Sequence, residues 1–276
     1  MPDAAELIDG QPAEQISSHD RGLYYGDGLF ETMAVIDGAI PLWQRHLARL
    51  QQGCDRLQLA CPTQAVLETE IRQLVQDKHR AIVKLILTRG QGGRGYAQPE
   101  TVVATRILQR HPWPAMPRRY WETGVNVIFC RQRLARQPAL AGIKHLNRLE
   151  QVLARSEWQT ADIQEGVLAD TQGNIIEAVS HNLFMVKANT VITPDLQYAG
   201  VAGVMREYVL SWLQQQGIPL SITQIDKATL LAADTVFLCN SIHGIWPICD
   251  LDGKSYAENR LVCELRDAVA EVIPYP

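Results

Sequence analysis

Three prolines fall within six residues in His111-Pro112-Trp113-Pro114-Ala115-Met116-Pro117, and no other stretch constrains the chain more. Proline fixes φ and carries no N–H, so neither a helix nor a central strand passes through such a run. The stretch reads as an extended connector. It divides 276 residues, a length that allows one large domain or two of ordinary size and a substantial core. The expected organisation is a smaller amino-terminal α/β domain over 1–110, a connector over 111–121 and a larger α/β domain over 122–276 that carries the reactive lysine discussed below.

Strand and helix signals alternate irregularly on both sides, which predicts mixed α/β layers (α+β in character) rather than a regular βαβ series. Phe30 to Ile36 is strand-like, and Asp37-Gly38 after it is a hairpin-turn signal. Leu47, Leu50, Cys54 and Leu57 recur at helical spacing beyond Pro41. Strands are predicted at Ala81 to Thr88 and Val102 to Leu108, with a glycine-rich loop between them. Past the connector, Val125 to Cys130 alternates like a strand. Asn147 with Glu150 has the form of a capping box, opening a helix through Trp158. A meander of short strands follows at Val167 to Asp170, Ile175 to Ala178, Leu183 to Val186 and Val191 to Thr193. The loop Tyr198 to Gly203 leads into a helix ending near Gly217. The strand Thr235 to Asn240 and a helix from about Asn259 close the chain.

Composition excludes several classes of function. A formal net charge of −4, from 26 basic and 30 acidic residues, offers no surplus for nucleic acid. No run approaches a membrane span, and Met1 to Gly10 carries acids and no apolar segment of a signal peptide. The six cysteines form no C-x-x-C pair and have no zinc spacing, so no metal is expected. Free thiols and the missing leader predict a cytoplasmic protein.

Four segments hold residues suited to chemistry. In Leu140-Ala141-Gly142-Ile143-Lys144-His145-Leu146-Asn147-Arg148 a lysine stands among small and apolar neighbours. Desolvation lowers a lysine pKa and frees the amine as a nucleophile, able to form a Schiff base with an aldehyde cofactor. Glu177, in Gly173-Asn174-Ile175-Ile176-Glu177-Ala178, sits in an apolar strand pattern. If buried it needs a cationic partner, such as a protonated heterocyclic nitrogen; otherwise it is an exposed acid on an edge strand. Gly200-Val201-Ala202-Gly203-Val204-Met205-Arg206 places small residues before a helix start, where free amides and the helix dipole suit a phosphate. Thr88-Arg89-Gly90-Gln91-Gly92-Gly93-Arg94-Gly95-Tyr96 offers arginines for carboxylates. It is read as no dinucleotide fingerprint, for want of G-x-G-x-x-G spacing, and it lacks the P-loop lysine.

The order of these segments, preceded by Asp20-Arg21-Gly22-Leu23-Tyr24-Tyr25-Gly26-Asp27-Gly28-Leu29-Phe30-Glu31-Thr32, resembles the fold-type IV enzymes of pyridoxal 5′-phosphate (PLP) over nearly the whole chain. This is the family of branched-chain and D-amino-acid aminotransferases. Gly92-Gly93-Arg94-Gly95-Tyr96 and Ala141 to Glu150 look most like its branch of lyases acting on 4-amino-4-deoxychorismate.

The resemblance implies a two-domain fold with PLP in the cleft, a homodimer, and a role for each matching position. Lys144 would hold PLP covalently and shuttle protons, and Glu177 would face its ring nitrogen. Arg49 would bind the phosphate, together with the amides of Val204 and Met205 and the hydroxyl of Ser241. Arg94 and Tyr96 would bind a substrate carboxylate, in their own subunit or from the partner. Phe30 would lie on the substrate side, where some relatives have tyrosine; this departure argues against a D-amino-acid aminotransferase. The implied activity is release of pyruvate and 4-aminobenzoate from aminodeoxychorismate in folate biosynthesis. The alternatives are a transaminase of the same fold, which needs an acceptor keto acid, and a non-enzymatic binding protein with a degenerate site.

Overall fold

Asp37 and Gly38 both take positive φ, 49° and 78°, and Ile36 and Ala39 exchange both backbone hydrogen bonds around them. This is the two-residue turn that Asp-Gly favours, because its twist matches that of the flanking strands. The structure is a computed structural model and describes residues 5–76, 78–100 and 102–275. Of the stretch Met1 to Gly10 read for a leader, residues 1–4 lie outside the described residues.

Packing divides the chain into two compact units, one running to Pro114 and including Ile143–Asn147, the other made of Ala115–Gly142 and the chain from Arg148 onward. The first unit holds β1 (Glu6–Ile8), β2 (Gln11–Pro12), α1 (Arg21–Tyr25), β3 (Gly28–Ile36), α2 (Trp43–Leu57), α3 (Gln64–Val75), β4 (Arg80–Thr88) and β5 (Thr105–His111). Its five strands form an antiparallel sheet in the order β2-β1-β5-β4-β3. Met33, Val35, Val83, Leu85 and Leu108 are buried with Leu50 and Cys54 of α2 and Leu67, Ile71 and Leu74 of α3. In α2, Leu47 and Leu57 are only half-buried, and the buried places beside Leu50 go to His46 and Arg49. β5 runs through His111, which pairs with Ile82, so the connector is shorter than predicted.

The second unit holds α4 (Arg119–Glu122), β6 (Val125–Leu134), α5 (Leu149–Arg155), β7 (Glu165–Asp170), β8 (Ile175–Ala178), β9 (Asn182–Lys187), β10 (Thr190–Pro194), α6 (Val204–Gln215), β11 (Leu220–Thr223), α7 (Lys227–Leu231), β12 (Thr235–Asn240), β13 (Gly244–Leu251), β14 (Lys254–Ser255) and α8 (Arg260–Ala270). Its nine-stranded sheet has the order β11-β10-β9-β12-β13-β6-β7-β8, with β14 on β13. The β10–β11, β13–β6 and β6–β7 pairs are parallel and the others antiparallel. The fold is therefore the mixed α/β type that the irregular alternation predicts.

Two expectations are corrected. Lys144 does not belong to the larger unit: its segment lies along β3, with the Phe30 amide donating to the Lys144 carbonyl at 2.9 Å and the Leu146 amide to the Gly28 carbonyl at 3.0 Å. The capping box does not form either. The Asn147 side chain reaches the Gly26 carbonyl at 3.3 Å, Glu150 Oε1 accepts from the Ala135 amide at 2.7 Å, and α5 starts from Arg148 without a side-chain cap.

Candidate active site

In the first unit, alternation along β3 and β4 sends neighbouring side chains to opposite faces. Phe30, Thr32, Lys84 and Ile86 share the half-buried face, because Phe30 pairs with Ile86 and Thr32 with Lys84. The Lys144 segment, bonded along β3, carries its ammonium to 4.4 Å from the centre of the Phe30 ring. Lys84 Nζ lies 5.6 Å from the same ring centre. Two cations thus share one aromatic surface, where the ring's negative face attracts each of them.

Glu31 points to the other face of β3. Its carboxylate accepts from Arg49 Nε at 2.7 Å, from Arg49 Nη2, and from His46 Nδ1 at 2.7 Å. All three side chains are buried. Burial works to raise the Glu31 carboxyl, but the charge of Arg49 and the His46 hydrogen bond outweigh it and hold it at about 2. His46 Nε2 is buried without a hydrogen-bond partner among the described residues.

Arg94 and Tyr96 lie on the glycine-rich loop, exposed to solvent, with Tyr96 86% accessible. The loop is strapped down by Arg21, which donates to the carbonyls of Gly95 at 3.1 Å, Tyr96 at 3.2 Å and Ala97 at 3.2 Å. Gly90, Gly92 and Gly95 do stand at G-x-G-x-x-G spacing. Among the described residues no helix opens between them and β5, so a dinucleotide site is excluded by context and not by spacing.

In the second unit, Glu177 is not an exposed edge acid. It is 4% accessible on β8, and its Oε2 accepts from the Val201 amide at 2.8 Å. Gly200 makes that approach possible: it has φ +86°, and a Cβ there would stand 2.6 Å from Ile176 Cγ2 and 3.2 Å from Glu177 Oε2. Asn182 holds the same loop by donating to the Val201 carbonyl at 2.9 Å. Gly203 then caps the twelve-residue α6 with no side-chain cap, so the amides of Val204 and Met205 open the helix at its positive end. Ser241 sits in the turn between β12 and β13.

The sequence reading missed Glu31, Thr32, His46 and Lys84. An acid or lysine inside an apolar strand pattern is the signal that flagged Glu177, and Glu31 and Lys84 carry it equally.

A strand-held lysine above an aromatic ring and a buried acid beside a glycine-turned loop sit within a sequence match to the family described as amino-transferase class IV, covering residues 28–251. The chain belongs to that family. It is 36% identical to an aminodeoxychorismate lyase of Vibrio harveyi over 92% of this chain and 93% of that protein. It superposes on the crystal structure of 4-amino-4-deoxychorismate lyase from Pseudomonas aeruginosa with a TM-score of 0.94 at 47% identity, over 98% of this chain and 100% of that one. The fold is shared with a hypothetical aminotransferase of Mycobacterium tuberculosis solved in a PLP-bound form, at a TM-score of 0.82 and 20% identity over 98% of each chain. No helix among the described residues is long and apolar enough to cross a membrane.

Proposed function

We propose that the chain is a PLP-dependent lyase that converts 4-amino-4-deoxychorismate to 4-aminobenzoate and pyruvate in folate biosynthesis. The observation that carries this reading is the Phe30 face, where Lys144 Nζ stands 4.4 Å from the ring centre and Lys84 Nζ 5.6 Å. The substrate has one amine to react and two carboxylates to hold, and this face offers a nucleophilic amine beside a second fixed cation.

The residues present fit PLP. Lys144 supplies the amine that holds the aldehyde. Glu177, buried and tied on one oxygen to the Val201 amide, suits a protonated ring nitrogen. Gly203, whose Cβ would stand 1.9 Å from Asn182 Oδ1, brings uncapped backbone amides of α6 close to an anion. Arg49 would bind the phosphate, and Ser241 would add a hydroxyl. Bound there, PLP supplies an electrophilic aldehyde and a sink for the electron pair left when a C–H bond breaks.

Lys144 first gives up its place to the substrate's 4-amino group. Its freed Nζ then takes the proton from the ring carbon bearing that amine. Glu177 keeps a proton on the heterocyclic nitrogen throughout. Lys84 and Arg94 hold the two carboxylates, Arg94 from the partner subunit. The C–O bond to the enolpyruvyl group then breaks, the leaving enolate takes at its methylene carbon the proton that Lys144 Nζ had accepted and departs as pyruvate, and aromatisation of the substrate ring makes the step irreversible. Lys144 Nζ finally displaces 4-aminobenzoate.

The test is direct. Purified protein given aminodeoxychorismate should release pyruvate, and amino acids with 2-oxoglutarate should yield little glutamate; the opposite pattern would reassign the chain as a transaminase. Lys84→Met should raise KM about tenfold with kcat nearly unchanged, the mark of a lost binding contact. A selective fall in kcat would show that Lys84 acts in the chemistry instead.

A second copy of the chain is the expected partner. Leu149, Val152 and Leu153 lie on one face of α5 and are 75%, 60% and 54% exposed. Val152→Glu should turn a dimer into a monomer in light scattering, and a wild-type protein already monomeric would remove the proposal. All six cysteines are free, which supports a reducing, cytoplasmic setting.

A further inference from the structure

Glu165, His181 and His243 form a buried relay in the second unit, and none has a part in the chemistry above. Glu165 Oε1 accepts from His181 Nδ1 at 2.7 Å, from the Ser180 amide at 3.1 Å and from the Ser180 hydroxyl. Its Oε2 accepts from the Gly166 amide at 3.1 Å. On the other side of the ring, His181 Nε2 lies 3.2 Å from His243 Nδ1. Burial, with the charge of His181, pushes His243 down to about 3, so His243 is neutral at working pH. Trp246 packs against both rings, 4.8 Å from His181 and 4.4 Å from His243 between centres.

The relay ends on the turn that carries Ser241. Asn240 Oδ1 accepts from the amides of Ile242 at 2.9 Å and His243 at 2.7 Å. Its Nδ2 lies 3.3 Å from His243 Nδ1 and donates to the Ser180 carbonyl at 3.2 Å. The Asn240 cap alone suffices to form a short turn. Adding a buried carboxylate and two histidines is a poor source of stability, because the cost of burying such groups offsets most of their attraction. What such an array does supply is one fixed geometry.

We propose that the Glu165–His181–His243 relay, with Asn240, is a positioning device that sets the Ser241 turn and thereby the protein's grip on the cofactor's phosphate. The proposal rests on the reading of Ser241 as a phosphate ligand.

The test compares PLP with pyridoxal, which has the aldehyde and ring but no phosphate. Apo-protein is titrated with each and followed by absorbance, for wild type, His243→Phe, Asn240→Ala and Ser241→Ala, with thermal midpoints recorded alongside. His243→Phe keeps a ring to stack on Trp246 and loses the nitrogen. In both His243→Phe and Asn240→Ala the dissociation constant for PLP should rise about tenfold, the scale of one lost hydrogen bond to a charged group, while that for pyridoxal moves less than about twofold. Equal weakening of both ligands, or no change in either, overturns the positioning role, since a general loss of structure cannot single out the phosphate. Ser241→Ala separates the two ideas: if it leaves the PLP-to-pyridoxal ratio at the wild-type value, the phosphate reading of Ser241 has failed, and the positioning role with it. If wild type binds neither compound, the cofactor reading itself is wrong.

Discussion

Lys144→Ala will release no measurable pyruvate from aminodeoxychorismate, a loss of at least about ten-thousandfold. The size follows from one amine having two tasks. It holds the aldehyde before the substrate arrives, and it moves the proton once displaced, so a single truncation removes both. Neighbouring lysines do not take over: Lys84 is fixed on β4 across from Thr32, and its ammonium lies farther from the Phe30 ring than that of Lys144. Loss of fold is not the cause expected, because alanine keeps the backbone bond from the Phe30 amide to the carbonyl of residue 144, which holds this segment along β3. The thermal midpoint therefore reports independently that the variant is native. Borohydride reduction of wild-type protein saturated with PLP should leave the added mass on the peptide containing Lys144, and the same treatment of the variant should leave none. Turnover at the wild-type rate in Lys144→Ala, or an adduct on another side chain, would end this assignment.

How much of this was legible in the sequence depended on whether the signal was local. The Asp37-Gly38 turn, the β4 run, the α8 start at Asn259 and the loop before α6 are local, and they stand where the pattern predicts them. α3 was equally legible, with Leu67, Ile71, Leu74 and Val75 at helical spacing behind a Thr63 cap, yet the reading omits it. β13 was hidden by Pro247, which argues against a central strand. The structure tolerates it because β6 pairs with β13 only from Ile248 onward, so Pro247 needs no donor on that side. Lys144 shows the other limit. Its character as a reactive residue was visible in its small and apolar neighbours, but its placement was not, because Ile143–Asn147 belong to the first unit although the chain on either side of them belongs to the second, and pairing with β3 at that sequence separation leaves no periodicity to read. Asn147 and Glu150 looked like a capping box for the same reason: both side chains find distant backbone partners, the Gly26 carbonyl and the Ala135 amide.

Glu31→Gln should lower the stability of the chain by about 3–5 kcal/mol in denaturant unfolding, the cost of leaving a buried charge without its partner. The amide keeps the shape of the carboxylate but cannot balance the Arg49 guanidinium, whose side chain is 8% exposed, or accept equally from Arg49 and His46. The pH dependence gives a second, independent reading. The Glu31 carboxyl is held at about 2 against an ordinary 4.5, so the folded form binds its proton less readily than the unfolded form. Its contribution is therefore fully present above about pH 4.5 and is lost as pH falls through about 2. A gap of this width corresponds to about 3 kcal/mol, in line with the cost expected from the substitution. Glu165, Asp170 and Asp27 are also held below their ordinary values, so wild type will lose stability in acid for several reasons at once. The difference between the two proteins isolates Glu31: the gap between their unfolding free energies should be widest at neutral pH and should close on acidification, because wild type then carries the same uncharged group as the variant. A gap that stays constant down to pH 2, or a variant within about 1 kcal/mol of wild type at pH 7, would mean that Glu31 does not carry the buried charge that holds Arg49 in place.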